Sequence, residues 1–223
     1  MFYCKPFKAQ FLFLFVILVY FSSCSKEVIR GTGSIGTRNL NLPAFTSIES
    51  HYDIKAVVSY GSTQQINVTG YENLLNILDF KVENDVLKLK FSTTYNAIRN
   101  GNIVVNIKVP VLAGAAIHGS QNINVSGFAS GNSIYAKIHG SGSINISRSI
   151  YQSALLEVYG SGSIDAQSLQ TKQTDAKVHG SGNISVSVSE SLKAGIFGSG
   201  NIYYWGNPVL ETTQSGSGRV IKR

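Results

Sequence analysis

Apolar and polar residues alternate strictly along the second half of the chain. Around Gly140-Ser141-Gly142, the apolar residues Ala136, Ile138, Ile144 and Ile146 alternate with polar ones on both sides. A period of two predicts half-buried β-strands rather than helices. Glycine tolerates a positive φ without a Cβ clash, so the Gly-Ser-Gly segment predicts a sharp corner between two short strands.

This strand–corner–strand unit recurs. The first glycines of the corners are Gly119, Gly140, Gly160, Gly180, Gly198 and Gly216, and they are 21, 20, 20, 18 and 18 residues apart. A steady short period predicts stacked repeats, because one unit alone has nothing against which to bury its apolar face. We therefore predict an all-β fold, a right-handed parallel β-solenoid (β-helix) with 18–21 residues per turn. Parallel crossovers are right-handed in nearly all proteins.

Stacking places equivalent residues of successive turns above one another. The predicted inward columns are Ile123, Ile144, Ile164, Ile184 and Ile202; Ile117, Ile138, Val158, Val178 and Ile196; and Ala115, Ala136, Leu156, Ala176 and Ala194. Strands of neighbouring turns lie roughly 4.8 Å apart in such a sheet, so each column forms a continuous ladder.

The chain before residue 111 is less regular. Alternating runs predict strands at 54–60, 65–69, 86–91 and 103–109. Asn84-Asp85 predicts a turn, and residues 72–78 predict one or two helical turns. We expect residues 38–110 to form irregular first rungs and a cap over one open apolar end of the solenoid.

At the opposite end of the array, the sequence becomes aromatic near Trp205. Alternation continues through Tyr204, which we expect to point inward in register with Val186 and to help close the second apolar end. Tyr203 and Trp205 then face outward, where aromatic rings can stack on sugar rings. We predict that residues 111–223 hold the regular repeats and this C-terminal cap.

The first residues have the composition of a targeting segment. Lys5 and Lys8 precede an apolar run over residues 11–21, which is shorter than the roughly 20 apolar residues that span a bilayer. Ser22-Ser23-Cys24 resembles the end of a bacterial lipoprotein signal, in which the cysteine is lipidated. The prediction is a signal peptide over residues 1–23.

Lipidation at Cys24 predicts an outer-membrane lipoprotein of the cell envelope, facing the periplasm or the cell surface. Residues 24–37 would tether residues 38–223, a single solenoid domain, to the outer-membrane lipid. A secretory signal cleaved nearby with an incidental cysteine, and an uncleaved anchor, are the alternatives. Cys4 would leave with the signal, so the mature chain would have no disulfide and no cysteine-based metal site.

The net charge of the chain does not point to a particular class of partner. Of the 19 Lys and Arg residues, Lys5 and Lys8 leave with the signal, and the remaining 17 face 12 acidic residues, a charge of +5. No cluster of basic residues with interleaved aromatic residues occurs in the sequence, so we predict no nucleic-acid partner.

Three histidines occupy the same position of the repeat. His118, His139 and His179 form an outward column, with Tyr159 between them and Phe197 after them. His118 and His139 lie on adjacent turns, close enough to share a metal ion, but Tyr159 separates His139 from His179 and no acidic residue occurs at this position. Stacking of planar rings explains the pattern without a ligand. We predict no metal site and no cofactor.

Catalytic groups do not cluster in the regular array. The acidic residues between positions 111 and 210 are Glu157, Asp165, Asp175 and Glu190, and they occupy different repeat positions. Paired carboxylates for glycoside chemistry and the regular carboxylates of a calcium-binding roll are therefore missing from the pattern. We predict no catalytic residue and no enzymatic activity. The predicted ligand surface consists of His118, His139, Tyr159, His179, Tyr203 and Trp205.

Several motifs resemble those of one known family. They are Arg38, Leu42, Phe45 and Ile48; Asn73-Leu74-Leu75; Val82 and Leu87-Lys88-Leu89; the repeated Gly-Ser-Gly-(Ser/Asn)-Ile; and Tyr204 with Gly206-Asn207-Pro208 before a last Gly-Ser-Gly. In this order they resemble the head GIN domain family of autotransporter adhesins. The resemblance implies a β-helical envelope lipoprotein with an adhesin-like role and no catalytic residue. Gln121 departs from the pattern by replacing a corner glycine, which predicts a wider corner.

These observations favour a non-enzymatic cell-envelope lipoprotein that presents a rigid solenoid surface to glycans or envelope proteins, or acts as an envelope scaffold. Cys24 would attach it to outer-membrane lipid. The sequence is compatible with an oligomer. One alternative is a carbohydrate-active β-helix enzyme of the polysaccharide lyase or hydrolase type, acting through Asp165 or Asp175. Another is a passive spacer or assembly unit.

Overall fold

The computed structural model describes residues 28–92 and 97–223. Strands contain 68% of the residues and helices 2%, and the chain winds into a β-solenoid of about 5 turns. The predicted all-β solenoid is therefore confirmed. No helix in the described part of the chain is long and apolar enough to cross a membrane. The predicted signal at residues 1–23 and the predicted lipidation site Cys24 lie outside the described residues.

The N-terminal part contains short strands and one helical turn. The elements are β1 (Val28–Arg30), β2 (Ile35–Leu40), β3 (Ser47–His51), β4 (Ile54–Tyr60), β5 (Gln65–Tyr71), α1 (Glu72–Leu75), β6 (Lys81–Glu83), β7 (Val86–Leu89), β8 (Ala97–Arg99) and β9 (Ile103–Val109). β1 pairs in parallel with β8, and β2 pairs antiparallel with β5. Residues 28–30 and 35–37, which we assigned to a tether, therefore lie in strands.

Local signals in this part are accurate to within a few residues. The turn predicted at Asn84-Asp85 joins β6 to β7 as a hairpin, with φ angles of 51° and 61°. The predicted helical segment ends early, at Leu75, because Leu78 forms an antiparallel bridge with Phe91 instead. The helical turn still buries Leu74 and Leu75.

The regular array follows. Its strands are β10 (Gly114–Gly119), β11 (Asn122–Ser126), β12 (Gly131–Gly140), β13 (Ser143–Ser147), β14 (Ser149–Gly160), β15 (Ser163–Gly180), β16 (Asn183–Ile196), β17 (Asn201–Trp205), β18 (Val209–Gln214) and β19 (Val220–Lys222). Each pairs in parallel with its equivalent one turn away. All three predicted inward columns occur in this register, and their members are buried.

The order of turns in space differs from their order in the chain. β3 and β4 pair in parallel with β10 and β11, and β7 and β9 stack on the opposite side of β3 and β4. The first turn of the chain is therefore the second turn of the stack. Beyond β9, β5 and then β2 continue the sheet in antiparallel pairing, which ends the parallel array at this side.

The glycine corners are stacked as tightly as the strands. Gly160 has a φ of +128°, and a Cβ on it would overlap the Gly140 carbonyl oxygen of the turn beneath. The N–H groups of Ser161 and Gly162 both donate to that oxygen at 3.0 Å. Glycine is therefore required for backbone conformation and for close approach of the turns.

The predicted wider corner at Gln121 does not occur. Ser141 and Gly142 donate to the Gly119 oxygen at 3.0 Å, as the equivalent residues do one turn later. Gln121 is buried, and its amide donates to the backbone oxygen of Ser50 at 2.5 Å in the turn beneath. This bond lets the larger side chain occupy a corner of normal width.

The solenoid continues one turn beyond the expected C-terminal cap. Tyr204 pairs with Lys222 of β19, so the residues around Trp205 lie within the stack. In the last turn, Gln214 occupies the position that Ile196 fills one turn earlier. Thr212 likewise follows Ala194, so two inward columns end in polar side chains, whereas the column of Ile202 ends in the partly buried Val220.

Candidate functional site

Planar side chains form one outward column, which we call the ring column. Its members are His51, His118, His139, Tyr159, His179 and Phe197. Neighbouring ring centroids are 4.5–5.0 Å apart, and neighbouring planes differ by 2–12°. The spacing equals the distance between strands of neighbouring turns, so the parallel register sets it. The predicted stacking is confirmed.

His51 belongs to the ring column, although the sequence analysis missed it. It pairs with His118 in the register between β3 and β10. The corner after His51 lacks glycine; Tyr52 takes the place of the first glycine and adopts a φ of 61°. The alternation of Ile48 with its polar neighbours was the available signal, but without the glycines it did not stand out.

Stacking limits what the ring column can bind. The two faces of an inner ring such as His139 are covered by its neighbours, so the ring presents only its edge to solvent. Sugars stack on ring faces, whereas ring edges offer imidazole nitrogens and the Tyr159 hydroxyl as hydrogen-bonding groups. A ligand role for these four residues (His118, His139, Tyr159 and His179) stays a prediction. Such a ligand would have to bind through polar contacts with the ring edges.

A second column of mostly charged residues runs beside the rings, two positions earlier in each strand. Glu49, Ala116, Lys137, Glu157 and Lys177 occupy it in order. The Lys137 Nζ atom lies 2.9 Å from Glu157 Oε2, and Glu157 is buried. Because the signs alternate, this face is internally paired rather than a basic patch.

Glu49 contacts the first two rings of the column. Its Oε1 atom lies 2.8 Å from His51 Nε2 and 3.2 Å from His118 Nε2. Burial lowers the pKa of His118, opposed by Glu49 and assisted by His51. Burial also lowers the pKa of His139, assisted by His118 and Lys137. No acidic residue occupies the repeat position of the rings, as predicted, but Glu49, two positions earlier in β3, reaches the first two rings.

A groove with a volume of about 990 Å³ crosses successive turns at another corner. We call it the Trp205 groove. It is lined by Arg148, Ile150, Tyr151, Gln152, Gln167, Ser168, Gln170, Thr171, Lys172, Ser187, Val188, Ser189, Trp205, Gly206 and Asn207. This size lies within the range of about 300–1,000 Å³ that is typical of small-molecule sites.

A change in turn length accompanies the groove. Ala166 pairs with Val186, but Gln170 pairs with Ser187, so residues 167–169 of the longer turn are skipped in the pairing. A few residues later, between the pairs Thr171–Val188 and Gln173–Ser191, β16 has one residue more than β15. The next turn is therefore two residues shorter overall. The corner glycines record the same change as a spacing of 18 instead of 20 residues. The resulting step in the surface forms a wall of the groove.

The groove has a mixed apolar and hydroxyl floor. Tyr151, Thr171 and Val188 line it and are buried. The Tyr151 hydroxyl donates to the backbone oxygen of Leu112 at 2.7 Å, and burial raises its pKa. The floor is therefore fixed by core contacts.

The rim of the groove carries two cations. Arg148 and Lys172 are exposed there. Arg148 forms no ion pair with the residues that the structure describes, whereas Lys172 lies 3.7 Å from Glu190 with both side chains more than half exposed. Such an exposed pair contributes little, so both cations are open to a ligand.

The aromatic residues before Gly206 have three different environments. Tyr204 pairs with Val186 as predicted and packs against the core. The guanidinium of Arg223 lies 4.9 Å from the centre of the Tyr203 ring and covers one of its faces. Trp205 is partly exposed and lines the groove. Of the predicted ligand residues, Trp205 alone lies in this groove.

The four acidic residues of positions 111–210 each have a different contact. Glu157 contacts Lys137, Asp175 lies 2.9 Å from Lys177, and Asp165 Oδ1 accepts from the Gln167 N–H at 3.2 Å. Glu190 contacts Lys172. Within residues 28–92 and 97–223, one group of three His, Cys or acidic side chains has converging ligand atoms, and it is Glu49, His51 and His118.

Three crystal structures share this fold. A "putative adhesin" from Bacteroides fragilis is 19% identical, with a TM-score of 0.73 over 87% of this chain and 100% of that one. A "putative lipid binding protein" from Parabacteroides distasonis is 20% identical, with a TM-score of 0.58 over 88% and 100%. A "putative adhesin" from Parabacteroides merdae is 21% identical, with a TM-score of 0.50 over 88% and 99%. At these identities the likeness establishes the fold alone.

The sequence also matches a family profile. Residues 44–208 match the family described as "Putative auto-transporter adhesin, head GIN domain". No curated protein matches the chain. Because the profile covers most of the chain, the protein belongs to the auto-transporter adhesin head GIN domain family.

Proposed function

We propose that this protein is a non-enzymatic, adhesin-like module of the cell envelope that binds a glycan in the Trp205 groove. The observation that carries the proposal is the combination of one partly exposed indole with amide and hydroxyl side chains in an open groove. Family membership supports an adhesin-like role in general.

The chemistry of the groove suits a sugar. An indole face packs against the C–H groups of a pyranose, while side-chain amides and hydroxyls exchange hydrogen bonds with its hydroxyls. Gln152, Gln167 and Gln170 supply amides along the groove. Arg148 and Lys172 at the rim favour a glycan that carries carboxylates or sulfates, because charge-assisted hydrogen bonds are the stronger ones.

The absence of enzymatic activity is part of the proposal. Glycoside hydrolysis uses two carboxyl groups about 5–9.5 Å apart around one bond. In the regular array, Asp165 accepts a hydrogen bond from the backbone N–H of Gln167, and Asp175 is paired with Lys177. These contacts favour structural roles for both. Incubation with oligosaccharides should therefore release no products, and turnover that is lost in Asp165→Asn or Asp175→Asn would establish the enzyme alternative.

The binding experiment compares matched ligands and matched variants. Calorimetry with polygalacturonate oligomers and with their neutral methyl esters should show tighter binding of the acidic form. Trp205→Ala should weaken binding about tenfold or more, as loss of a central aromatic anchor does. Tyr203→Ala is the control, because Arg223 already covers its ring. Unchanged binding by Trp205→Ala would show that the Trp205 groove is not the glycan-binding site.

Anchoring through Cys24 at the outer membrane is a separate part of the proposal. It rests on the sequence Ser22-Ser23-Cys24 after the apolar run. Labelling cells with a palmitate analogue should mark the parent and not Cys24→Ser, and the variant should leave the membrane fraction. Labelling of both proteins would reject lipidation at this residue. The oligomeric state stays a prediction, which light scattering of the detergent-solubilised protein would test.

A further inference from the structure

Two imidazoles and one carboxylate converge where the ring column begins. The Nε2 atoms of His51 and His118 both face Glu49 Oε1, at 2.8 and 3.2 Å. The ligand atoms of the three residues all lie within 4.8 Å of one another. The parallel register between β3 and β10 brings them together, because it places His51 directly beneath His118.

We propose that Glu49, His51 and His118 form a binding site for a divalent transition-metal ion, with zinc as the best-matched ion. Two imidazole nitrogens and one carboxylate oxygen are a common three-residue ligand set for zinc, with water in the fourth position. Calcium and magnesium prefer ligand sets made of oxygen atoms only. The site shares no residue with the Trp205 groove, and the proposal does not depend on glycan binding.

The ring column offers this combination at one place. The positions equivalent to Glu49 in the next turns are Ala116 beside His118, Lys137 beside His139 and Lys177 beside His179. A lysine beside the ring repels a cation. Glu157 is the other acidic member, but it lies beside Tyr159 and is paired with Lys137.

The site is open enough for an ion to enter. Side-chain exposure is 30% for His51, 39% for His118 and 25% for Glu49. A cavity of about 520 Å³ lined by His51, His118 and Asp53 lies beside it. This space accommodates a water ligand, with the Asp53 side chain nearby.

Metal binding requires a small movement of the rings. Zn–N bonds of about 2.0–2.1 Å place two nitrogen ligands roughly 3.4 Å apart in a tetrahedral site. The rings of His51 and His118 are parallel, with centroids 4.8 Å apart, so at least one ring must tilt. His51 is the first ring of the column and stacks on one side only among the described rings, so a tilt of this ring disturbs one ring contact. The ion then lies between the two imidazole nitrogens and the Glu49 carboxylate, in place of their present close contacts.

Zinc binding to the full chain in detergent tests the proposal. Cys4→Ser and Cys24→Ser form the common background, because thiolates outside the described residues also bind zinc. Calorimetry with zinc chloride should give one ion per chain. His118→Asn and Glu49→Gln should each weaken binding about tenfold or more. His179→Asn should bind like the parent, because no carboxylate within residues 28–92 and 97–223 forms an ion pair with that ring.

Cobalt provides an independent readout. Bound Co²⁺ should give the visible absorption of a four-coordinate site in the parent and in Trp205→Ala, and this absorption should be lost in His118→Asn. Circular dichroism verifies that each variant keeps the β fold. Absence of zinc uptake by the folded parent would overturn the proposal, as would equal binding by the parent and by folded Glu49→Gln and His118→Asn. Glycan binding can succeed or fail independently of these results.

Discussion

The rings of His139 and Tyr159 lie parallel, with their centroids 4.8 Å apart and their planes 2° apart. One is an imidazole and the other a phenol, yet they occupy equivalent positions of neighbouring turns. The position therefore selects planarity rather than one functional group. This relationship explains why the ring column accepts His, Tyr and Phe along its length.

Removing the phenol should destabilise the protein. Tyr159 stacks on His139 and on His179, and each such pair contributes about 0.5–1.5 kcal/mol beyond area burial. Tyr159→Ala should therefore reduce the free energy of unfolding by about 1–3 kcal/mol, measured by urea denaturation. Tyr159→His, which copies the neighbouring turns, should be nearly neutral. Equal stability of all three proteins would show that the stacking contributes nothing.

Truncation of a side chain in the inward isoleucine column should reduce stability more than loss of the Tyr159 ring does. Ile164 is 1% exposed between Ile144 and Ile184, so its truncation leaves a cavity that flanking turns cannot fill. Ile164→Ala should cost about 2–5 kcal/mol. Val209 is 78% exposed, and Val209→Ala should change stability by less than about 0.5 kcal/mol. Thermal and urea unfolding measure both, and a similar small loss in the two variants would argue against the buried ladder.

Substitution of two different glycines by alanine should distinguish the cost of backbone strain from the cost of disturbing close packing. Gly33 has a φ of +88° and open space where a Cβ would lie, whereas Gly160 has a φ of +128° and a Cβ on it would overlap the Gly140 carbonyl oxygen of the turn beneath. Gly33→Ala should cost about 1–2 kcal/mol from strain alone. Gly160→Ala should cost clearly more, because neighbouring turns must also separate. If urea unfolding gives the same loss for both variants, the corner stacking is not tight.

Acid should destabilise the ring column through His139. Burial lowers the pKa of His139 in the folded chain, so the unfolded chain binds a proton at higher pH than the folded chain does. The contribution of this neutral imidazole to stability is complete above the unfolded pKa of about 6.5. It is lost as the pH falls from that value through the lower folded pKa.

The measurement is urea unfolding between about pH 8 and pH 5 with a chelator present. The parent should lose stability on acidification, and His139→Tyr should show a weaker dependence, because the phenol does not titrate in this range. Tyr159 shows that the position accepts this side chain. A dependence that is unchanged in His139→Tyr would assign the effect to other groups.

Much of the regular array was predictable because its signals are local. Ile144 and its neighbours alternate with polar residues, and Gly140 and Gly142 mark the corner, so inward and outward faces follow from a few residues. The stacking of His118 on His139 then follows from the repeat itself. The hairpin at Asn84-Asp85 was predictable for the same reason.

The candidate sites depended on contacts that no local pattern reveals. Glu49 and His51 precede His118 by more than 60 residues, and they meet it because the second turn of the stack is formed first along the chain. The Trp205 groove was visible in the sequence only as a change in glycine spacing. One wall contains the skipped residues Gln167 and Ser168, whose placement depends on pairing with the next turn.

By itself, the sequence determined the period of the solenoid, the inward ladders, the glycine corners and the ring column from His118 onward. Each is a short-range alternation or spacing that repeats, and repetition makes every turn the template for the next. The tertiary structure alone decided which turn lies beneath His118, where the surface steps inward beside Trp205, and that Gln214 ends the inward column of Ile196. These features depend on which distant strands pair and in which register, and that is settled by packing of the whole stack.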